Sequence, residues 1–254
     1  MSALATTSVP TFTLRPSAAG WAATGFVLLY LLSVGTAGGQ RLDEAAMQWT
    51  AASVTEDGWA EALLTGVSGG SVLLVGGALA IVTALARGLR AGALGALSGA
   101  VVLLAAEVLK LTLARPDFTV QALANSFPSG HVAAVTGLAL ALLLAAPAGR
   151  WRWAALLAVT PAVALTGLAT IALEWHRPSD VLGSVLLGVV IGATAAGWES
   201  RTVGRAPAGR SSSADPRVSR SDQAREPRPA TPTADLVLVP SDAQPAHSGI
   251  SSST

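Results

Sequence analysis

The chain has 254 residues, of which 51% are hydrophobic and 12% charged, with a net charge of +1 and no cysteine. A soluble domain carries about 25% charged residues, so this composition excludes an ordinary soluble fold and points to an all-α, polytopic membrane protein. The missing cysteines exclude disulfide and thiolate chemistry, and the near-neutral charge without a basic patch excludes nucleic-acid binding.

Taken in order, residues 1–16 are polar and read as a disordered cytoplasmic N-terminus. Residues 17–198 read as a membrane domain of six transmembrane helices, and 199–254 as a disordered cytoplasmic tail. The first apolar run, 18–37, is close to the roughly 20 residues that cross a bilayer. Only Arg15 supplies positive charge before it, and its length fits a retained span better than a signal peptide. A charged loop follows with Arg41, Asp43, Glu44, Glu56, Asp57 and Glu61. Amphipathic spacing at 42–52 and 59–64 predicts helices lying along the membrane surface. Further spans are predicted over 71–86, 91–113, 132–146, 153–173 and 181–198. The tail carries seven prolines between Pro207 and Pro245 and cannot bury a core.

Six spans return both termini to one side. Arg87, Arg90, Arg150, Arg152, Arg201 and Arg205 mark that side as cytoplasmic by the positive-inside rule. Segments 38–67, 114–130 and 174–179 then share the extracytoplasmic face of a cell-membrane protein.

Chemistry is expected on that face. Residues 125–131 read Asn-Ser-Phe-Pro-Ser-Gly-His between two apolar runs. Proline stops regular structure, Ser129 suits a helix cap, and Gly130 permits close approach. The unpaired N–H groups of the helix that follows form an anion site, with phosphate the natural guest. Lys110 and Arg115 end the third span, where cations are favoured by the helix dipole or serve as snorkelling anchors. Glu107, one turn before Lys110, is placed to pair with it. His131 and His176 both stand at the start of a span, and His247 lies in the tail. His176 and Asp180 are spaced i, i+4, with Pro178 suited to the first helical position. Asp180 can accept the imidazole N–H and fix its tautomer, a nucleophile-plus-orienter arrangement. Two histidines and a carboxylate are also zinc-ligand types, but the neighbouring cations favour an anion, so neither metal nor cofactor is expected.

The order Lys…Arg-Pro, then Pro128-Ser129-Gly130-His131, then His176-x3-Asp180 resembles the type 2 phosphatidic acid phosphatase (PAP2) superfamily, over about residues 20–198. The resemblance implies a six-helix PAP2-type bundle and a metal-independent membrane lipid phosphatase. It implies His176 as the nucleophile forming a phosphohistidine, Asp180 as its holder and His131 as the general acid. Ser129 and Gly130 would hold phosphate oxygens, and Lys110 would neutralise the phosphate. Two departures stand out. The family's Lys-x6-Arg-Pro is shortened, so Arg115 comes two residues early and Asp117 holds the family's position. The Ser-Arg pair that opens the third motif is replaced by Ala169-Thr170. Arg115, by another loop path, and Arg177, beside the nucleophile, are therefore expected to complete the phosphate clamp. The expected substrate is a lipid phosphomonoester or diphosphate, such as a polyprenyl diphosphate or phosphatidic acid. A lipid phosphotransferase and a lipid-phosphate-binding protein or transporter on the same scaffold stand as alternatives.

Overall fold

The apolar runs fold as helices close to their expected bounds. The computed structural model describes residues 16–54, 56–116, 118 and 125–204, and all regular structure among them is helical. The expected N-terminal segment up to residue 15, Asp117 and the tail beyond residue 204 lie outside the described residues.

Helix α1 (Pro16–Leu29) continues through a π-helical turn, Tyr30–Val34. Then come α2 (Ala37–Ser53), α3 (Gly58–Gly66), α4 (Gly69–Arg87), α5 (Leu89–Thr112), α6 (Gly130–Ala145), α7 (Arg150–Ala172) and α8 (Pro178–Gly204). Five of these stretches, in α1, α4, α5, α7 and α8, are long and apolar enough to cross a membrane. The chain is a multi-pass membrane protein. Helix α8 runs to Gly204 rather than ending at Trp198.

Helix α6 has 16 residues, about 24 Å at 1.5 Å per residue, less than the roughly 30 Å hydrocarbon core. It is nevertheless the centre of the bundle, packed against α4, α5, α7 and α8. Val132, Ala133, Ala134, Thr136, Gly137, Ala139, Leu140 and Ala141 are all buried on it. Around it, Leu73, Leu74, Leu85, Leu111 and Leu157 stay exposed, the reverse of a soluble fold, because lipid is as good a solvent for them as the interior.

Small residues let α5 and α6 meet backbone to backbone. A Cβ on Gly137 would lie 2.6 Å from the Gly99 carbonyl oxygen, and one on Gly99 would lie 2.8 Å from that of Gly137. Gly137→Val is therefore expected to cost about 1–3 kcal/mol by overpacking, read as a lower Tm in detergent. An unchanged Tm would mean that the two helices separate freely.

At one end of the bundle, Arg87 Nη1 on α4 donates to the Leu144 and Ala145 carbonyls at 2.8 and 2.9 Å. It caps the C-terminus of α6, where a cation is favoured. The opposite end gathers the C-terminus of α5, the N-termini of α6 and α8, and helix α2. There α2 corrects the sequence expectation. It is not only a surface helix, because Gln40, Asp43, Glu44 and Met47 are buried on it. Its polar stripe has partners inside the bundle, and these partners build the site.

Candidate active site

Local sequence starts each of the two helices on which the site depends. Ser129 is the N-cap of α6, its Oγ accepting from Val132 N at 3.5 Å. Asp180 is the third residue of α8 and reaches back to accept from the backbone N–H of Arg177, at the N-cap, at 3.0 Å. The two starts are stitched together. Ser129 N–H donates to the Asp180 carbonyl at 3.0 Å, and Ser184 Oγ donates to the Ser129 carbonyl at 2.8 Å. Two motifs some fifty residues apart in sequence thus share one backbone junction.

His176 lies in the turn between α7 and α8, not on the helix face that i, i+4 spacing suggested. Its N–H and that of Trp175 both donate to the Thr170 carbonyl, at 3.1 and 3.0 Å. Even so, His176 Nδ1 comes within 3.4 Å of Asp180 Oδ2. That distance is ion-pair range rather than a short hydrogen bond, and Nδ1 has no better partner among the described residues. Asp180 is fully buried and densely held. Ser126 Oγ donates to Oδ2 at 2.6 Å, and Arg115 Nη1 donates to Oδ1 at 3.1 Å. The carboxylate can hardly turn.

Arg115 arrives two residues early because α5 stops at Thr112 and the chain leaves it extended. Asn125 Nδ2 donates to the carbonyls of Lys110 and Leu113 at 3.0 and 2.7 Å. Gln40 Nε2 donates to the Pro116 carbonyl at 2.6 Å, and Tyr30 OH to that of Ala114 at 2.5 Å. So α1, α2 and the loop before α6 together fix the short path that points Arg115 inward. Its side chain is 4% exposed, and its Nε and Nη2 have no hydrogen-bond partner among the described residues.

Lys110 Nζ pairs with Glu107 Oε1 at 3.0 Å, as the sequence suggested. Both press on the start of α6: a Cβ on Gly130 would meet Glu107 Oε1 at 2.7 Å and Lys110 Nζ at 3.2 Å. The His131 ring lies tilted against that of Trp175, the residue before His176, with ring centroids 5.7 Å apart. His131, His176, Asp180, Lys110, Arg115 and Gly130 therefore come together.

Two expectations change. Arg177 does not face the site as a free cation, because its Nε donates to Glu44 Oε2 at 2.9 Å and the residue is 2% exposed. A buried guanidinium needs a carboxylate, and α2 supplies one. Ser129 is fully buried, its hydroxyl taken up as the α6 cap, so it holds the helix start. At the position of the missing family arginine, Thr170 is also fully buried, its Oγ donating to the Gly167 carbonyl at 2.8 Å.

Sequence reading missed Asp43, Glu44, Gln40 and Ser126. Asp43 accepts from both N–H and Oγ of Ser179, the N–H bond being 2.9 Å, and lies 3.7 Å from Arg115 Nη2. It caps α8 from another helix, satisfying an N–H that the helix cannot. The available signal was the adjacent Asp43-Glu44 pair within an amphipathic stretch on the same face as Arg115 and Arg177.

Burial pushes the Asp43 carboxyl above its ordinary value of 3.8, against the opposing pull of the Ser179 bonds and Arg115. The group then contributes stability that is full below 3.8 and is lost as pH rises through the raised value. Asp43→Asn should remove this component, so its unfolding midpoint should gain on wild type between mildly acidic and neutral pH. Parallel curves would show that Asp43 does not titrate with folding.

The architecture is that of a membrane-embedded PAP2-type helical bundle with its polar cluster at one end. Residues 92–203 match the PAP2 superfamily model. The crystal structure of the first transmembrane PAP2-type phosphatidylglycerolphosphate phosphatase from Bacillus subtilis matches with a TM-score of 0.59 at 21% identity. The match covers 72% of this chain and 96% of that one, and at this identity it is a likeness of fold. No curated protein matches the chain.

Proposed function

We propose that this protein is a membrane lipid phosphatase, hydrolysing a lipid phosphomonoester or diphosphate at the extracytoplasmic face through a phosphohistidine. One observation carries the reading: the His176 imidazole is set against a carboxylate, Asp180, that is itself immobilised by Arg115, Ser126 and the Arg177 N–H. A binding site has no need of such a pair. With Nδ1–H directed at Asp180, Nε2 keeps its lone pair. Nε2 attacks phosphorus, the bond to the leaving oxygen breaks, and His131 gives that oxygen its proton. Water then attacks the phosphohistidine, His131 takes the water's proton, and phosphate leaves as the P–N bond breaks.

Lys110 and the Gly130 N–H are the groups offered to the phosphate oxygens, and Arg115, buried between Asp180 and Asp43, adds its charge at the same end of the bundle. They supply the fixed positive field that phosphoryl transfer requires. The match to the PAP2 superfamily model and the phosphatase activity in the neighbour's name support the same chemistry. The test is phosphate release from a panel of polyprenyl diphosphates, phosphatidic acid and phosphatidylglycerol phosphate in micelles containing EDTA. Release that survives EDTA is expected; loss with EDTA would overturn the metal-free route. A second reading, a lipid-phosphate-binding protein, draws on the burial of Arg177 against Glu44, which leaves the clamp a cation short. Tight binding by the folded wild type without turnover of any lipid would favour it.

A further inference from the structure

Among the described residues, the buried charges where α2 meets the start of α8 do not balance. Three carboxylates, Asp43, Glu44 and Asp180, face two guanidinium groups, Arg115 and Arg177. Glu44 takes Arg177, with Oε2 2.9 Å from Nε. Asp43 and Asp180 are left to divide Arg115, whose Nη2 lies 3.7 Å from Asp43 Oδ2 and whose Nη1 lies 3.1 Å from Asp180 Oδ1. Lys110 is matched by Glu107 and adds no net charge. We propose that Asp43 is a positioning residue for the reaction, drawing the charge of Arg115 off Asp180 so that Asp180 keeps its own for the His176 imidazole, an inference that rests on the phosphatase reading of the site.

The chemistry sets the moment at which that charge is needed. His176 starts neutral, with its Nδ1–H toward Asp180. As Nε2 bonds to phosphorus and the bond to the leaving oxygen breaks, His131 protonates that oxygen. The His176 ring keeps its Nδ1 proton and so becomes cationic, 3.4 Å from Asp180 Oδ2. The positive charge that the cluster lacks is thus supplied by the covalent intermediate itself. Away from water such interactions are strong and little screened. A guanidinium committed to Asp180 alone would oppose the new cation, because two positive groups would then compete for one carboxylate. Asp43 weakens that opposition, and it is held in place to do so. The N–H and Oγ of Ser179 both donate to it. Ser179 and Asp180 are consecutive in the first turn of α8, so one turn sets both carboxylates about Arg115. Asp43 lies on α2, outside the stretch 92–203 that matches the superfamily model.

Asparagine matches the shape of Asp43 and keeps an oxygen for the Ser179 N–H, so Asp43→Asn should fold. Burial raises the Asp43 carboxyl, and assays on the alkaline side of neutral therefore keep it ionised in the wild type. The quantity to measure is the single-turnover rate at which the full-length protein takes up label at saturating lipid. The probe is the lipid phosphate of the panel that the wild type hydrolyses fastest, radiolabelled at phosphorus. In Asp43→Asn this rate should fall about 10–100-fold, the scale for a partner standing behind a directly acting group. Half-saturation should not move, the mark of an interaction made only in the transition state. Loss of preformed label should not slow, because a less stabilised imidazolium departs more readily. The decisive comparison is a double-mutant cycle with Arg115→Gln. Without the guanidinium two buried carboxylates cannot both ionise easily, so Asp43→Asn should there leave the labelling rate unchanged or raise it. A capping role through Ser179 alone would cost the same in both backgrounds, and that result would overturn the proposal. So would a labelling rate in Asp43→Asn within about threefold of wild type, well short of the expected range. If Arg115→Gln does not fold, Ser179→Ala decides: it removes one capping bond and keeps the Asp43 charge. Its rate should stay well above that of Asp43→Asn, and an equal fall would overturn the proposal. A wild type that never takes up label sinks the phosphatase reading and this one with it, whereas a labelled wild type with an unaffected Asp43→Asn sinks this one alone.

Discussion

His176→Ala is expected to abolish phosphate release, lowering kcat by about 10⁴-fold or more, the scale seen when a covalent nucleophile is removed. The folded state should survive, because the backbone N–H of His176, not its ring, makes the bond to Thr170. Among the described residues the imidazole has the 3.4 Å approach to Asp180 as its polar contact, and it is 12% exposed. Asp180→Asn should fall almost as far, since the amide cannot hold Nδ1–H in the same way, and loss of the tautomer costs about 10⁴-fold in the best-studied triad. Single-turnover assays with a radiolabelled lipid phosphate check both. A labelled protein should accumulate transiently in wild type and be absent in His176→Ala. Residual turnover of His176→Ala within tenfold of wild type would remove His176 as nucleophile.

Arg115→Ala should produce the largest loss of stability at the site, about 3–5 kcal/mol, the usual result of deleting one partner of a buried ion pair. Its guanidinium sits between the carboxylates of Asp180 and Asp43, which are 0% and 6% exposed as side chains. Without it, two buried carboxylates face each other with only hydrogen-bond donors between them. Turnover should fall as well, because Asp180 loses one of the bonds that hold it. Denaturant unfolding in detergent measures the first effect, and a split into kcat and KM the second. A rise in KM at unchanged stability would make Arg115 a substrate ligand alone. Arg177→Ala, by contrast, should act through stability, since Glu44 takes up its Nε.

How much was legible in advance follows from where the physical information resides. The spans could be read from sequence because hydrocarbon demands long apolar runs whose backbone groups pair internally. Apolar stretches such as 71–86 and 91–113 met helices Gly69–Arg87 and Leu89–Thr112. The pairing of Glu107 with Lys110 and the helix starts at Gly130 and Pro178 followed from local rules of spacing and capping. The role of α2 was not legible. Amphipathic spacing tells that one face is polar, but it cannot tell whether that face meets water or a buried arginine. The partner of Arg177 was not legible for the same reason: proximity to His176 along the chain suggested a shared task, while its Nε turns to Glu44 on another helix.

By itself, the sequence determined that this is a multi-pass helical membrane protein and which short motifs bear ionisable groups. Hydropathy and helix capping are local properties, complete within a window of a few turns. The tertiary structure alone decided which charges meet. Asp43, Glu44, Arg115, Arg177 and Asp180 are separated by up to 137 positions, yet each is neutralised by another once buried. In a low-dielectric interior an unpaired charge costs several kcal/mol, so the packing of α2 against the start of α8 and the short loop after α5 selects the partners. That selection assigns Arg115 to Asp180 and Arg177 to Glu44.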